Sequence, residues 1–180
     1  METVLRDAVY RLSSIKAGRS SVPNSGHFEC VLFSALDGLA DLKSMPILNT
    51  VTISNRPNMT DAAAVALARF PKLARVEIVA CKITDQGAEA LAKNPSLTNV
   101  VFSGNELTKA VIIAFAGHPS LTELNVISPL INDLGLEAFA KLPKLTYIQL
   151  ISKDRKYTDD GLQKLRLVRP ELKINCNGWL

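Results

Sequence analysis

Apolar and polar residues alternate in a short phrase that recurs along the chain. Leu73, Leu97, Leu121 and Leu145 stand at intervals of 24 residues, and each opens the phrase leucine, two residues of any kind, apolar, any, apolar. This alternation has the two-residue period of a half-buried strand. A unit of this length cannot bury its own apolar face, so successive copies must stack and share one core. The pattern therefore predicts an α/β solenoid.

The spacing divides the chain into five units with unlike ends. The units are predicted at residues 48–72, 73–96, 97–120, 121–144 and 145–171. Residues 1–47 are predicted to hold an N-terminal helix, a linker and a degenerate capping unit, and residues 172–180 a closing strand. The strands of successive units would pair in parallel on the concave side of a short horseshoe, and the helices would lie on its convex side.

Each predicted helix begins at a residue whose side chain can accept a hydrogen bond from a free backbone amide. In four units an aspartate follows and favours the positive end of the helix dipole. A proline ends each helix and sets the turn into the next strand. These signals explain the recurrent Thr-Asp pairs as caps rather than catalytic dyads; the caps are Thr60, Thr84, Thr108, Asn132 and Thr158.

Before residue 48 the repeat fades. An apolar stripe at helical spacing predicts a helix near the N-terminus, and Phe28 to Phe33 has the pattern of a strand. We interpret this part as a cap, because terminal repeats are atypical. The alternative is that the first helix docks a partner or forms part of a targeting segment.

Two stretches of the repeat resemble known families. The sequence from Gly87 to Ala92 resembles the helical signature of GALA-type leucine-rich repeats, which occur in bacterial proteins including secreted effectors. The stretch from Ile83 to Gly87 is similar to the cysteine-containing type found in F-box proteins. Cys81 and Asn105 occupy the place where those families carry Asn or Cys. The resemblance extends from about Leu48 to Cys176 and implies a leucine-rich-repeat solenoid, with a substrate-receptor or effector role as one expectation.

Composition narrows the class of protein. Apolar residues make up 47% of the chain, as expected of a folded domain. No apolar run reaches the roughly 18–20 residues needed to cross a bilayer. Arg6, Asp7 and Arg11 interrupt the apolar stretch that a secretory signal requires. The three scattered cysteines fit reduced thiols, so we expect a cytoplasmic location, with a secreted effector as the alternative.

No arrangement of residues predicts catalysis. The chain has only two histidines, His27 and His118, and it lacks the motifs of zinc, phosphate or dinucleotide sites. We expect His118 to cap a helix end or face solvent. The sequence thus predicts a non-enzymatic chain with no catalytic residue, no metal and no cofactor.

The outward positions of the predicted strands form the candidate site. Four of them are β-branched apolar residues that would project from the concave face rather than into the core. Such a cluster with a polar rim is typical of a surface that binds a protein or peptide partner. The other interpretation is that these residues merely suit strands. The predicted partner-binding residues are Thr52, Arg75, Glu77, Val79, Val101, Ser103, Glu123, Asn125, Ile127, Tyr147, Gln149 and Ile151.

Basic residues concentrate near the C-terminal end. Residues 153–173 carry +3 of the chain's formal net charge of +4. Such asymmetry can mark an anionic partner, although it is more often a solvated face. Only Tyr147 and Tyr157 accompany these charges, which argues against nucleic acid. The alternative anion-binding residues are Lys153, Arg155, Lys156, Lys164, Arg166 and Arg169.

Overall fold

The computed structural model describes residues 27–30, 49–55, 59–128, 130–150 and 155–176. The first of these ranges is described by its backbone. The predicted N-terminal helix and most of the predicted cap lie outside the described residues, as do Ile151 and Lys153 among the candidate site residues.

Strands and helices alternate along the described chain. The strands lie in one sheet, in sequence order, and every neighbouring pair is parallel. The strands are β1 (His27–Cys30), β2 (Thr50–Ser54), β3 (Arg75–Val79), β4 (Asn99–Ser103), β5 (Glu123–Ile127), β6 (Tyr147–Gln149) and β7 (Lys173–Asn175). The helices are α1 (Asp61–Leu67), α2 (Asp85–Ala92), α3 (Ala110–Ala114), α4 (Asp133–Phe139) and α5 (Asp159–Val168). The predicted solenoid is confirmed.

One apolar core lies between the sheet and the helices. The opening leucines, from Leu73 to Leu145, are at most 1% exposed, and so are the inward strand residues Val76, Ile78 and Phe102. The helices contribute Ala88, Leu91 and their equivalents to the same cluster. Each fully buried aliphatic side chain contributes about 1.5–3 kcal/mol to stability. Because every unit shares this core with its neighbours, stacking rather than any single unit stabilises the fold.

The helix starts agree with the predicted caps in four units. Thr84 accepts a hydrogen bond from the backbone of Gln86, Asn132 from Gly135, and Thr158 from Gly161. Thr108 accepts one from Ala110, where the shorter helix α3 begins. The prediction is wrong for Thr60, whose side chain makes no cap hydrogen bond. It lies at the first described unit, where the preceding residues 56–58 are not described.

The aspartates after the caps have a second role that the sequence analysis missed. The carboxylates of Asp61, Asp85 and Asp133 each accept hydrogen bonds from the cap threonine of the next unit, so they link successive units at their helix starts. Asp85 accepts from the Thr108 backbone at 2.9 Å and from its hydroxyl at 2.6 Å. Asp133 accepts from Thr158 in the same way, at 2.7 and 2.9 Å. Because each carboxylate accepts two charge-assisted hydrogen bonds, these bonds fix the spacing of successive helices.

One position lacks this link. Lys109 stands where the other units carry aspartate, and it precedes α3 in a helical conformation (φ −57°, ψ −20°). The next cap, Asn132, therefore has no carboxylate from the preceding unit. Strands β4 and β5 nevertheless pair along their full length. The helix layer is thus less firmly joined at this point than the sheet is.

Two further columns of side chains join the units. At the start of the strands, the hydroxyls of Thr98, Thr122 and Thr146 each donate to a carbonyl one unit earlier, at 3.0–3.1 Å. Before the prolines, Asn94 donates to the carbonyl of Phe70 at 2.8 Å. In that column His118 contacts the Asn94 carbonyl through Nε2 at 2.9 Å.

His118 corrects one expectation. It is only 4% exposed, so a solvent-facing role is wrong. Its Nδ1 accepts hydrogen bonds from the backbone of Ser120 and Leu121, which satisfies free amides after the helix, as the capping alternative predicted. His118 therefore joins neighbouring units and satisfies backbone amides within the stack.

Candidate functional site

The strand side chains that point away from the helices form the other surface of the sheet, which we call the open face. The register places them in three rows across the strands. The first row is Thr50, Arg75, Asn99, Glu123, Tyr147 and Lys173. The second is Thr52, Glu77, Val101, Asn125, Gln149 and Asn175. The third is Ser54, Val79, Ser103 and Ile127. To the surface predicted from the sequence, the structure adds Lys173 and Asn175 from β7.

Three β-branched side chains meet near the middle of the open face. Val79 and Ile127 flank Ser103 in the third row, and Val101 lies two residues before Ser103 on β4. All three are half-buried, and within the described residues none packs against the core. We call Val79, Val101 and Ile127 the apolar patch. Their exposure means that this surface is apolar where solvent reaches it.

Charged and amide side chains border the apolar patch. Glu77 lies beside Val101 on β3, and Glu123 lies beside Asn99 on β5. The Asn99 side-chain amide donates to the Glu123 carboxylate. Asn99 and Asn125 are only 8% and 7% exposed. Within the described chain, the Oδ1 atoms of both have no hydrogen-bond partner.

The remaining predicted residues lie toward the two ends of the face. Arg75 is exposed, whereas Thr52 and Gln149 are half-buried. Tyr147 is also half-buried, and its hydroxyl accepts a hydrogen bond from the Asn175 side chain at 3.4 Å. The register thus brings all the described members of the predicted partner-binding set onto one surface.

One unit of this repeated geometry matches the model of a known family. The family model described as Leucine Rich repeat matches residues 71–92, which run from the turn before β3 to the end of α2. The same strand, loop and helix recur in the units after it. The matched unit is a leucine-rich repeat, and the fold is that of a leucine-rich-repeat solenoid. Asn105, at the Asn or Cys place of the repeat, donates to the Ile78 carbonyl of the preceding unit at 2.8 Å.

A more distant similarity is found among solved structures. A solved structure titled Leiomodin-1 Actin-Binding Site 2 (ABS2) aligns over 81% of this chain and 78% of that one, with 15% sequence identity and a TM-score of 0.46. At that score the likeness supports no inference about partners. No curated protein matches the sequence.

Three of the six predicted basic residues form ion pairs within the described chain. Arg155 pairs with Asp159 at 2.8 Å and lies 5.4 Å from the centre of the Tyr157 ring. Lys164 pairs with Asp160, also at 2.8 Å. The hydrogen bonds to these aspartates raise the pKa of Arg155 and of Lys164 above their ordinary values. Each pair sits one helical turn apart and is exposed, so its charge is largely balanced at the surface.

Arg169 has a structural role, which corrects its place in the anion-binding set. It is only 9% exposed. Its guanidinium donates to the carbonyls of Leu142 and Leu145, at 2.6 and 2.8 Å, and to the Glu171 carboxylate. It therefore continues the column of Asn94 and His118 and is not available to a bound anion. Lys156 and Arg166 are exposed, and Lys153 lies outside the described residues.

The helical side of the leucine-rich repeat stack has shallow grooves. One of about 250 Å³ lies between α4 and α5, and another of about 370 Å³ lies between α2 and α3. Ile113 and Leu134 are about half exposed on this side, at 54% and 53%. These residues are single apolar side chains on separate helices, and such exposure needs no partner to explain it.

Two other kinds of feature are absent from the described residues. No group of three or more His, Cys, Asp or Glu side chains in the described ranges is placed to hold a metal ion. Among the same residues, no helix is long and apolar enough to span a bilayer.

Proposed function

We propose that this leucine-rich repeat protein is a non-enzymatic interaction module that binds a protein or peptide partner on its open face. The observation that carries the proposal is the apolar patch of Val79, Val101 and Ile127, which is half-exposed on a sheet surface whose opposite side is fully packed. Burial of such side chains by a partner releases water from apolar surface, at roughly 25 cal/mol per Å².

The surroundings of the patch fit recognition rather than simple adhesion. Glu77, Glu123 and Arg75 place both signs of charge within one strand spacing or two of the apolar side chains. An apolar centre with a polar border is the usual anatomy of a protein interface. In such interfaces a few central side chains supply most of the affinity, and the border excludes water and selects the partner.

The sheet also holds the patch in a fixed arrangement. Each strand of the patch is paired on both sides, β3 with β2 and β4, and β5 with β4 and β6. The patch residues are β-branched and have restricted side-chain torsions. Little conformational freedom would be lost on binding, which favours affinity from a small surface.

The test is a pair of double variants that truncate apolar side chains on opposite sides of the protein. Affinity capture from the source cell with mass spectrometry identifies a partner, which is then purified. Val101→Ala with Ile127→Ala removes most of the patch, and Ile113→Ala with Leu134→Ala is the control on the helical side. We expect the first variant to bind at least about tenfold more weakly and the control to bind as the wild type does.

Equal affinity of the open-face variant and the wild type would refute the proposal, and so would an equal loss in the control. Far-UV circular dichroism and the urea midpoint of each variant establish that both remain folded before affinities are compared.

A further inference from the structure

We propose that Glu77 and Glu123 hold an arginine side chain of the protein partner above Val101. This inference rests on the proposed function of the open face and specifies the chemistry of what the face receives.

The two carboxylates straddle one strand. Val101 lies on β4, with Glu77 beside it on β3, and Asn99 on the same strand has Glu123 beside it on β5. Neighbouring strands are about 4.8 Å apart and a strand rises about 3.3 Å per residue, so the two backbone positions, two strands and two residues apart, are separated by roughly 12 Å. Glutamate side chains are long enough for both carboxylates to reach a group placed between them, over Val101.

Neither carboxylate is paired with a cation among the described residues. On the helices, Glu89 and Asp160 each pair with a lysine one turn away. Within the described residues, Glu77 and Glu123 form no ion pair, although both are half-buried beside apolar side chains. Arg75 shares the face but is exposed and unpaired in the described structure. A carboxylate in partly apolar surroundings is stabilised by a cation that arrives with a partner.

Of the three buried amide oxygens that have no hydrogen-bond partner among the described residues, two lie on the open face beside these carboxylates, and the third belongs to Asn105. The Oδ1 atoms of Asn99 and Asn125 have no partner within the described chain. The side-chain nitrogen of Asn99 donates to the Glu123 carboxylate, which leaves Oδ1 of Asn99 as the free acceptor. Unmet acceptors of this kind are costly in a folded protein. Neither oxygen is accessible to solvent in the unbound chain. An arginine side chain of the partner can therefore reach them only when neighbouring side chains on the open face change rotamer.

Arginine fits this set of acceptors better than lysine. Its planar guanidinium carries five N–H donors, which can reach two carboxylates and an amide oxygen at once. Its aliphatic stem can lie on Val101 while the charged end bonds the border. Lysine has a single compact ammonium group and cannot span acceptors on both sides of a strand in the same way.

The test uses three short peptides and the full chain. Acetyl-Leu-Arg-Leu-amide is titrated into isotope-labelled protein while the side-chain amide signals of Asn99 and Asn125 are followed by NMR. The matched peptides carry citrulline, which keeps the shape without the charge, or lysine. We expect the arginine peptide to shift both signals saturably and the other two to bind at least about tenfold more weakly.

Charge removal on the protein provides the second arm. Glu77→Gln with Glu123→Gln should weaken binding of the arginine peptide at least about tenfold, whereas Glu89→Gln with Glu137→Gln on the helices should leave it unchanged. Equal binding of the citrulline or lysine peptide, no shift with arginine, or an equal loss in the helical control would each overturn the inference.

The two proposals fail in different ways. If the alanine variant of the apolar patch keeps full affinity for the purified partner, the open face is not the binding surface. If the alanine variant loses affinity but the glutamine variant does not, binding at the open face is supported and only the recognition of arginine is contradicted.

Discussion

The Asp61 carboxylate accepts two hydrogen bonds from Thr84, one from the backbone amide at 2.9 Å and one from the hydroxyl at 2.7 Å. The two residues lie 23 positions apart, in successive units. The bond pair joins the start of α1 to the start of α2, and the same relationship recurs at Asp85 and Asp133. This pair of hydrogen bonds explains why an aspartate follows the cap. The favourable position of aspartate in the helix dipole is only part of the reason.

The same carboxylate accounts for Gly87. A Cβ atom at this position would lie 2.3 Å from Asp61 Oδ1. Gly87→Ala should therefore destabilise the protein, although alanine is favoured over glycine in helices by about 1 kcal/mol. Combined with Asp61→Ala, the same substitution should cost much less, because the group it meets is gone. Urea unfolding of the two single variants and the double variant measures this coupling.

Asp61→Ala alone should lower stability by about 2–3 kcal/mol, because it removes two hydrogen bonds to a charged acceptor. Gln86→Ala is the control, since it is exposed and next to Gly87. Strictly additive effects of the Gly87 and Asp61 substitutions would show that the carboxylate does not exclude a side chain there.

Lys109 offers the reverse experiment. Gly135 in the next unit already stands opposite it, because a Cβ atom at Gly135 would lie 3.4 Å from the Lys109 Cβ. Lys109→Asp should supply the missing carboxylate to Asn132 and raise stability by about 1 kcal/mol, measured by urea unfolding. Lys109→Ala is the control for removal of the positive charge. An equal gain from alanine would mean that the new hydrogen bonds contribute nothing.

The Arg169 and Glu171 pair predicts a dependence of stability on pH. The hydrogen bond from Arg169 lowers the pKa of Glu171 below its ordinary value. A carboxyl whose pKa is lower in the folded state stabilises the fold above its ordinary pKa, and this contribution is lost as pH falls through the folded value. Urea midpoints of the wild type and Glu171→Gln should therefore differ at pH 7 and converge once the pH has fallen below the lowered pKa of Glu171. A difference that persists or grows in acid would contradict the pairing.

The rows of the open face were predictable because the repeat itself sets the register. Leucines at a constant interval must occupy equivalent places in the core, so the strand residues counted from them fall opposite one another. Arg75, Asn99 and Glu123 thus align in the structure as they do in the sequence. Alternation then decides which side each residue faces, since its period is two residues.

The bonds between units were not predictable by the same reasoning. Thr84 and Asp85 have a sufficient local explanation as a helix start, which concealed the contact of each with a different unit. The available signal was the spacing between an aspartate and the next cap threonine, which is 23 residues from Asp61 and from Asp85 and 25 residues from Asp133. Arg169 was misjudged for a related reason: charge in a sequence gives no sign of whether carbonyls lie within reach, and here two do.

Photo-crosslinking tests the central claim most directly. Benzoylphenylalanine is placed at Val101 on the open face in one protein and at Ile113 on the helical side in another, and each is irradiated with the captured partner. Both positions are solvent-accessible in the free chain. We expect efficient crosslinking from position 101 and background levels from position 113. Crosslinks from 113 with none from 101 would place the partner on the helices and contradict binding at the open face.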